Sequence, residues 1–191
     1  MSKPSKAHTA AAKHLLRYLA GTVDFAITYK QGCFKLTAFS DVNWSNNPDN
    51  GKSMSSYIVF LANAPVSFKV GLRRLTAPFT TETELLAAAL AMKEAVFCSN
   101  TMKELGFGTR FDNVPPYIDN TSALNVAGNR TNNSRVTHVA LRYFFIQDLV
   151  KEGIITVKYM KTEDQLADVR TKHLGNQRQR YLLKLISEFR A

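Results

Sequence analysis

The sequence predicts an α/β domain: a mixed five-stranded sheet, three strands joined as antiparallel hairpins and two added in parallel, flanked by helices. Two observations carry this. β-rich segments crowd the first 70 residues with turn residues between them, and strands in hairpin succession pair antiparallel. Beyond residue 80, helical and strand patterns alternate, and strands separated by helices pair in parallel through right-handed crossovers. A chain of 191 residues that is 45% hydrophobic supports one core of ordinary size.

The elements follow in order. Residues 7–20 place Ala12, Leu15, Leu16 and Leu19 on one helical face. "FAITY" (25–29) and "FKLTAF" (34–39) are β-rich, lie either side of "KQGC", and read as a hairpin. "SDVNWSNNPDNGKS" (40–53) is polar, with Asn-Pro and Asn-Gly turn signals. "SSYIVFLA" (55–62) and "PVSFKV" (65–70) are strands about a turn at 63–65. The longest helix, 81–105, carries Leu85, Ala88, Met92, Val96 and Leu105 at helical spacing, with Gly106 suited to its C-cap. "PPYI" starts a strand that ends at Asp119. A helix near 134–152 has Val139, Tyr143, Ile146 and Val150 on one face, and Gly153 ends it. "IITVKYM" (154–160) is the last strand, "TEDQLADV" opens a helix capped by Thr162, and 176–189 form a final helix with Leu182, Leu185, Ile186 and Phe189.

Charge narrows the partner. Lys plus Arg is 25 and Asp plus Glu is 15, a net +10 that points to a polyanion, nucleic acid before a membrane surface. From Val169 onward there are six basic residues (Arg170, Lys172, Arg178, Arg180, Lys184 and Arg190) against one acid, Glu188. A solvated helix face is the alternative reading of that run. No apolar run approaches the roughly 18 residues that span a bilayer, and the N-terminus lacks the apolar core of a signal peptide. The expectation is an intracellular protein, in cytoplasm or nucleus, with no membrane partner and no secretion. Cys33 and Cys98 lack metal-ligand spacing and read as core thiols in a reducing compartment.

Four carboxylates fall at related places. Asp41 follows the strand "LTAFS", Glu84 sits in the first turn of the long helix, Asp119 ends the fourth strand, and Asp168 lies in the helix after the fifth. Clustered carboxylates repel unless a cation sits among them. Mg²⁺ takes oxygen ligands and leaves positions for phosphate oxygens, and a pair of such ions activates water against a phosphodiester. Each residue also has a plain structural reading. Asp41 would organise a turn, Thr81-x-x-Glu84 matches a capping box, Asp119 would be an N-cap, and Asp168 a solvated helix acid. Spacing alone leaves both readings open.

At these residues the chain resembles the RNase H domain of copia-type LTR retrotransposon Pol polyproteins. The resemblance runs from about residue 10 to about residue 174 through "KHLLRYLAGTVDFAITY" (13–29), "SDVNW" (40–44), "GKSMSSYIVFL" (51–61), "TTETELLAAALAMKEAVF" (80–97), "YIDNTSAL" (117–124), "THVALRYFFIQDLV" (137–150) and "TEDQLADVRTKHL" (162–174). Single segments are weak signals; seven in order are specific. The resemblance implies the RNase H-like fold and a D-E-D-D quartet that binds two Mg²⁺ or Mn²⁺ ions. On this sequence the quartet is Asp41 of "SDVNW", Glu84 of "TETELLAA" (where Glu82 is the neighbour not chosen), Asp119 of "YIDN" and Asp168 of "QLAD".

The resemblance further implies a metal-dependent endoribonuclease, ribonuclease H, acting on the RNA strand of RNA–DNA hybrids. Asn43, Asn120, Ser122, Arg135, His138, Arg170 and Lys172 would hold the nucleic acid, and Trp44 would pack on a sugar or within the protein. In such a polyprotein a reverse transcriptase precedes the domain. Residues 1–24 then read as the tail of its connecting segment, 25–175 as the RNase H domain and 176–191 as a basic C-terminal helix. An active element would place the protein in a virus-like particle. The chain departs from the family at "SMSSY" for S-T-S-G-Y, at "SRVTHV", which lacks Lys before the His, and at Arg170. "KTEDQLAD" has no His where the retroviral enzyme carries one, and His138 is the nearest candidate for that role. The alternative function is an RNase H-fold nucleic-acid-binding or host-interacting protein without turnover.

Overall fold

The computed structural model describes residues 4–27, 29, 34–43, 51–72, 80–111, 113–119 and 140–188. Strand β1 (Leu36–Asn43) is central in a five-stranded sheet. It pairs antiparallel with β2 (Met54–Leu61), which pairs antiparallel with β3 (Ala64–Leu72). Ala62 and Asn63 join β2 to β3 with φ of 51° and 67°, the left-handed pair that matches a two-residue turn to the twist of its strands. On its other edge β1 takes β4 (Pro116–Ile118) in parallel, and β4 takes β5 (Lys158–Tyr159) in parallel, giving the order β3-β2-β1-β4-β5. The mixed sheet expected from sequence is the one observed.

Side chains alternate along β1, so its two faces build two layers. Helix α2 (Thr80–Met102) and helix α3 (Ala140–Lys151) lie on one face. There Leu85, Ala88, Ala89 and Met92 pack with Ile118, Ile146, Leu149 and Ile155, while Ala91 and Ala95 meet Leu36, Ala38 and Val59. The run of small residues lets α2 lie close on the sheet. On the opposite face Phe39, Ile58 and Phe60 pack against Leu166, Ala167 and Leu182. These come from the chain around the short helix α4 (Asp168–Thr171) and from α5 (Asn176–Glu188).

Four local expectations are revised. Phe25, Ala26, Ile27 and Tyr29 form no strand, because β1 already gives one edge to β2 and the other to β4. Instead the Tyr29 hydroxyl donates to the Pro65 carbonyl at 2.8 Å. Helix α2 ends at Met102, a π turn spans Lys103–Phe107, and Gly106 takes a left-handed φ of 89° that stops the helix. Leu105, expected in the core, is therefore exposed. The strand expected over 154–160 is interrupted: Val114 bridges Ile155 in the register of the β4–β5 pair, but Pro115 and Pro116 between them lack the N–H a ladder needs. The helix expected from Thr162 is a 3₁₀ turn over Thr162–Asp164, followed by extended Gln165, and α4 starts only at Asp168.

Helix α1 (Lys6–Ala20) forms as expected, capped by Ser5, whose side chain accepts from the His8 N–H at 3.4 Å. None of its residues is buried, and Leu15, Leu16 and Leu19 are exposed. Among the described residues no helix is long and apolar enough to cross a membrane.

Candidate metal centre

The site begins with strand register. Phe39 pairs with Tyr117 across β1 and β4, and their rings stack with centroids 5.1 Å apart. Two residues further along each strand, on the same face, come Asp41 and Asp119. The ends of two parallel neighbours thus set two carboxylates side by side. The third comes from the layer above. Gln165 is buried, donates through Nε2 to the Ser40 carbonyl at 3.1 Å, and accepts from the Ala167 N–H at 3.4 Å. That clamp fixes the start of α4 over β1, and Asn43 secures its end by donating from Nδ2 to the Thr171 carbonyl at 2.8 Å. Asp168 then points at Asp41.

Asp41, Asp119 and Asp168 each present a ligand oxygen, all within 4.8 Å of one another. Asp41 and Asp168 are 1% and 0% exposed, so neither is a turn organiser nor a solvated helix acid. Glu84 is half-buried in the first turn of α2, on the helix that covers the opposite face, and is not among the carboxylates within that distance. The structure therefore gathers three of the four expected acids.

Two buried carboxylates in one pocket need positive charge. The Lys172 ammonium donates to Asp41 Oδ1 at 3.2 Å and to Asp168 Oδ1 at 2.6 Å. Arg178 donates from Nη2 to Asp168 Oδ2 at 2.7 Å and to the Thr162 carbonyl at 2.5 Å. The Thr171 hydroxyl donates to Asp41 Oδ2, and the Thr162 hydroxyl to Asp119 Oδ2 at 3.4 Å. Burial, and then the Asp41 charge, push Asp168 up to about 6 against the opposing pull of Lys172 and Arg178. The same two causes raise Asp119. Burial would lower Lys172, but the charges of Asp41 and Asp168 outweigh it and raise it overall. Lys172 therefore holds its proton firmly beside these acids.

Of the residues expected at nucleic acid, Asn43 and Lys172 are engaged as just described, and Arg170 lies over the Phe68 ring, 4.0 Å from its centroid. Asn120, Ser122, Arg135 and His138 lie outside the described residues, as does Trp44. Sequence reasoning missed Gln165, Thr171 and Arg178 as parts of the site. The available signal was weak: a Thr and a Lys one turn beyond Asp168, where i,i+3 and i,i+4 neighbours meet.

The donor set suits a hard cation. Three carboxylates from separate segments offer oxygen only, the chemistry Mg²⁺ and Mn²⁺ select. The ammonium already seated between two of them marks the same point as one where positive charge is stabilised.

Comparison with known proteins agrees with the fold. The chain is 36% identical over 178 residues to the Retrovirus-related Pol polyprotein from transposon RE2 of Arabidopsis thaliana, a match covering 92% of this chain and 12% of that polyprotein. It is also 36% identical over 179 residues to the corresponding polyprotein from transposon RE1 of the same plant, with the same coverage of 92% and 12%. The chain thus spans about an eighth of the length of these relatives. In structure it is similar to an N-terminal RNase H domain from Mycobacterium tuberculosis, with a TM-score of 0.53 at 14% identity, covering 79% of this chain and 97% of that one. That likeness establishes an RNase H-like fold. No protein-family model matches the chain.

Proposed function

The chain belongs to the retrotransposon Pol family as an RNase H-like domain, and on that premise we propose that it is a metal-dependent endoribonuclease that cleaves the RNA strand of RNA–DNA hybrids. The observation that carries the reading is the convergence of Asp41, Asp119 and Asp168, ligand oxygens within 4.8 Å, at the ends of two central parallel strands. Asp41, Asp119 and Asp168 would hold the metal, with Glu84 as a fourth ligand reaching from the first turn of α2. Two Mg²⁺ or Mn²⁺ ions bound there would activate water and neutralise charge at the departing oxygen. The protein's own residues do the rest. Gln165 and Asn43 hold α4 on β1 and so fix the distance from Asp168 to Asp41. Thr171 and Arg178 each hold one carboxylate oxygen and leave the other for ligation. The surplus of basic residues holds the phosphate backbone, with Asn120, Ser122, Arg135, His138 and Arg170 as further candidates for contact. RNA is told from DNA by its 2′-hydroxyls. The parent polyprotein would supply a reverse transcriptase as partner, in an intracellular setting.

A labelled hybrid, incubated beside matched single strands and duplexes in Mg²⁺, Mn²⁺ or chelator, tests this. Cleavage confined to the RNA of the hybrid and abolished by chelator is expected. Equal cleavage in chelator would sink the metal mechanism. Helical geometry separates residues two apart by about 200°, so Glu84→Gln should lose rate while Glu82→Gln keeps it; the reverse pattern would move the fourth ligand to Glu82. A second reading has its own observation: Lys172 and Arg178 already neutralise Asp168, as in a protein that keeps the fold and binds nucleic acid without turnover. Tight hybrid binding with no cleavage under any metal condition would favour it.

A further inference from the structure

The cations around Asp168 are not equivalent. Arg178 holds Oδ2 of Asp168 and is tied at the same nitrogen to the Thr162 carbonyl. Thr171 holds Oδ2 of Asp41. Each contact braces a carboxylate at the oxygen that Lys172 does not take. Lys172 instead takes Oδ1 of Asp41 and Oδ1 of Asp168 together, at 3.2 and 2.6 Å. Without its ammonium, these two oxygens would keep their aim at one point, because their Oδ2 partners remain.

The same point is where an ion shared by Asp41 and Asp168 would sit. Metal–oxygen distances near 2.1 Å for Mg²⁺ leave no room for an ammonium on the same pair of oxygens. A univalent and a divalent cation a few ångström apart would also repel each other strongly. Lys172 has a way out. Its side chain is 30% exposed while its partners are 1% and 0% exposed, so it reaches the buried acids from a partly solvated position. Its backbone stays anchored, since its N–H donates to the Asp168 carbonyl at 3.0 Å.

Resting on the metal reading above, we propose that Lys172 is an exchangeable internal cation. It holds Asp41 and Asp168 in register in the metal-free protein, is displaced by the incoming divalent ion, and presents its freed ammonium to the phosphate of the bound nucleic acid. Exchange makes metal binding and hybrid binding mutually supportive, because a phosphate that captures the ammonium removes the metal's competitor, and linkage requires the effect to be reciprocal.

The test is calorimetric titration of Mn²⁺ into the wild type and Lys172→Met, which keeps a long apolar stem and removes the charge. Lys172→Met should bind Mn²⁺ on the order of tenfold more tightly, within the usual range of coupling between sites. In chelator it should melt below the wild type, and it should gain more from added Mn²⁺. Equal or weaker Mn²⁺ binding by the variant overturns the proposal. If the variant does not fold without metal, the wild type decides: amine labelling read lysine by lysine should rise at Lys172 on adding Mn²⁺, and protection or no change overturns it. The outcomes separate this proposal from the function it rests on. Metal binding by the wild type that the variant merely matches leaves the metal reading standing and removes the exchange. Mn²⁺ binding by the variant alone supports the competition and counts against a metal-dependent enzyme. Binding by neither protein overturns both.

Discussion

The face of the sheet beneath α2 and α3 buries alanines, leucines, isoleucines and Met92. The face beneath 165–182 buries Phe39, Phe60 and Leu182, and with them Asp41, Gln165, Asp168 and Thr171. On the first face, withdrawal from water is favourable for each of these apolar groups, at about 25 cal/mol per Å² of apolar surface. On the second, each buried polar atom is a cost until it finds a partner, and a buried ion pair seldom outdoes an apolar pair of the same volume. A fold selected for stability alone would make the two faces alike. On the proposed function, the charged face is kept for the metal it would bind.

Paired substitutions give the largest expected separation. Met92→Ala should destabilise the protein by about 2–5 kcal/mol through lost burial and a cavity, with the rate per folded molecule unchanged. Asp119→Asn should do the opposite. The variant is near-isosteric and removes a charge that burial and Asp41 both disfavour, so in chelator its Tm should equal or exceed the wild type's. Hybrid cleavage should fall at least as far as the roughly 10–100-fold that loss of an outer-shell partner of a metal site brings. Thermal melts and cleavage rates on both proteins check this. An Asp119→Asn protein that unfolds would make the carboxylate a structural group and erase the contrast between the faces.

Gln165→Ala is expected to join the two behaviours. It leaves the Ser40 carbonyl and the Ala167 N–H without their buried partner, at a cost of about 1–3 kcal/mol. It also loosens the clamp that sets Asp168 against Asp41, so cleavage by the folded fraction should fall too. Denaturant melts beside single-turnover rates separate the terms. Stability lost with the rate intact would make Gln165 a packing residue and no positioning residue.

The two faces were unequally legible in the sequence. The β-rich runs 34–39 and 55–62 and the helical spacing of Leu85, Ala88 and Met92 were legible as core-forming elements, because apolar burial follows sequence pattern. Asp41 and Asp119 were legible as strand-end acids. Their proximity needed the Phe39–Tyr117 register, which no single segment encodes. Phe25, Ala26, Ile27 and Tyr29 have strand composition and no strand, since propensity does not count the edges β1 has left. Lys172 and Arg178 read as part of a phosphate-facing basic tail because charge was summed along the chain. The reversal between α4 and α5 brings Arg178 back to Asp168, a contact over ten residues that no helical period announces.

The smallest expected effect is on pH dependence, and it sharpens the comparison because the dry face should have none. In chelator, Asp168 is raised to about 6 by burial and then by Asp41, from about 3.9 in an unfolded chain. Between those values the folded protein keeps a proton that the unfolded chain has released. Stability therefore falls as pH rises through that window and levels off above it. Asp119 is raised by the same causes and acts with the same sign. Lys172, raised overall although burial opposes it, contributes stability that is fully present below the unfolded lysine value and lost only as pH rises through its higher folded one, so it is constant across the acid range. The metal-free protein should accordingly melt higher near pH 5 than near pH 7. Asp168→Asn should flatten that slope, and Met92→Ala should lower the whole curve while leaving the slope alone. With Mg²⁺ in excess the slope should shrink or reverse, because the ion needs the deprotonated carboxylates. A wild-type Tm in chelator that climbs from pH 5 to pH 7, with Asp168→Asn unchanged in slope, would mean that Asp168 is not a strained charge and that the charged face is balanced by Lys172 and Arg178 for stability alone.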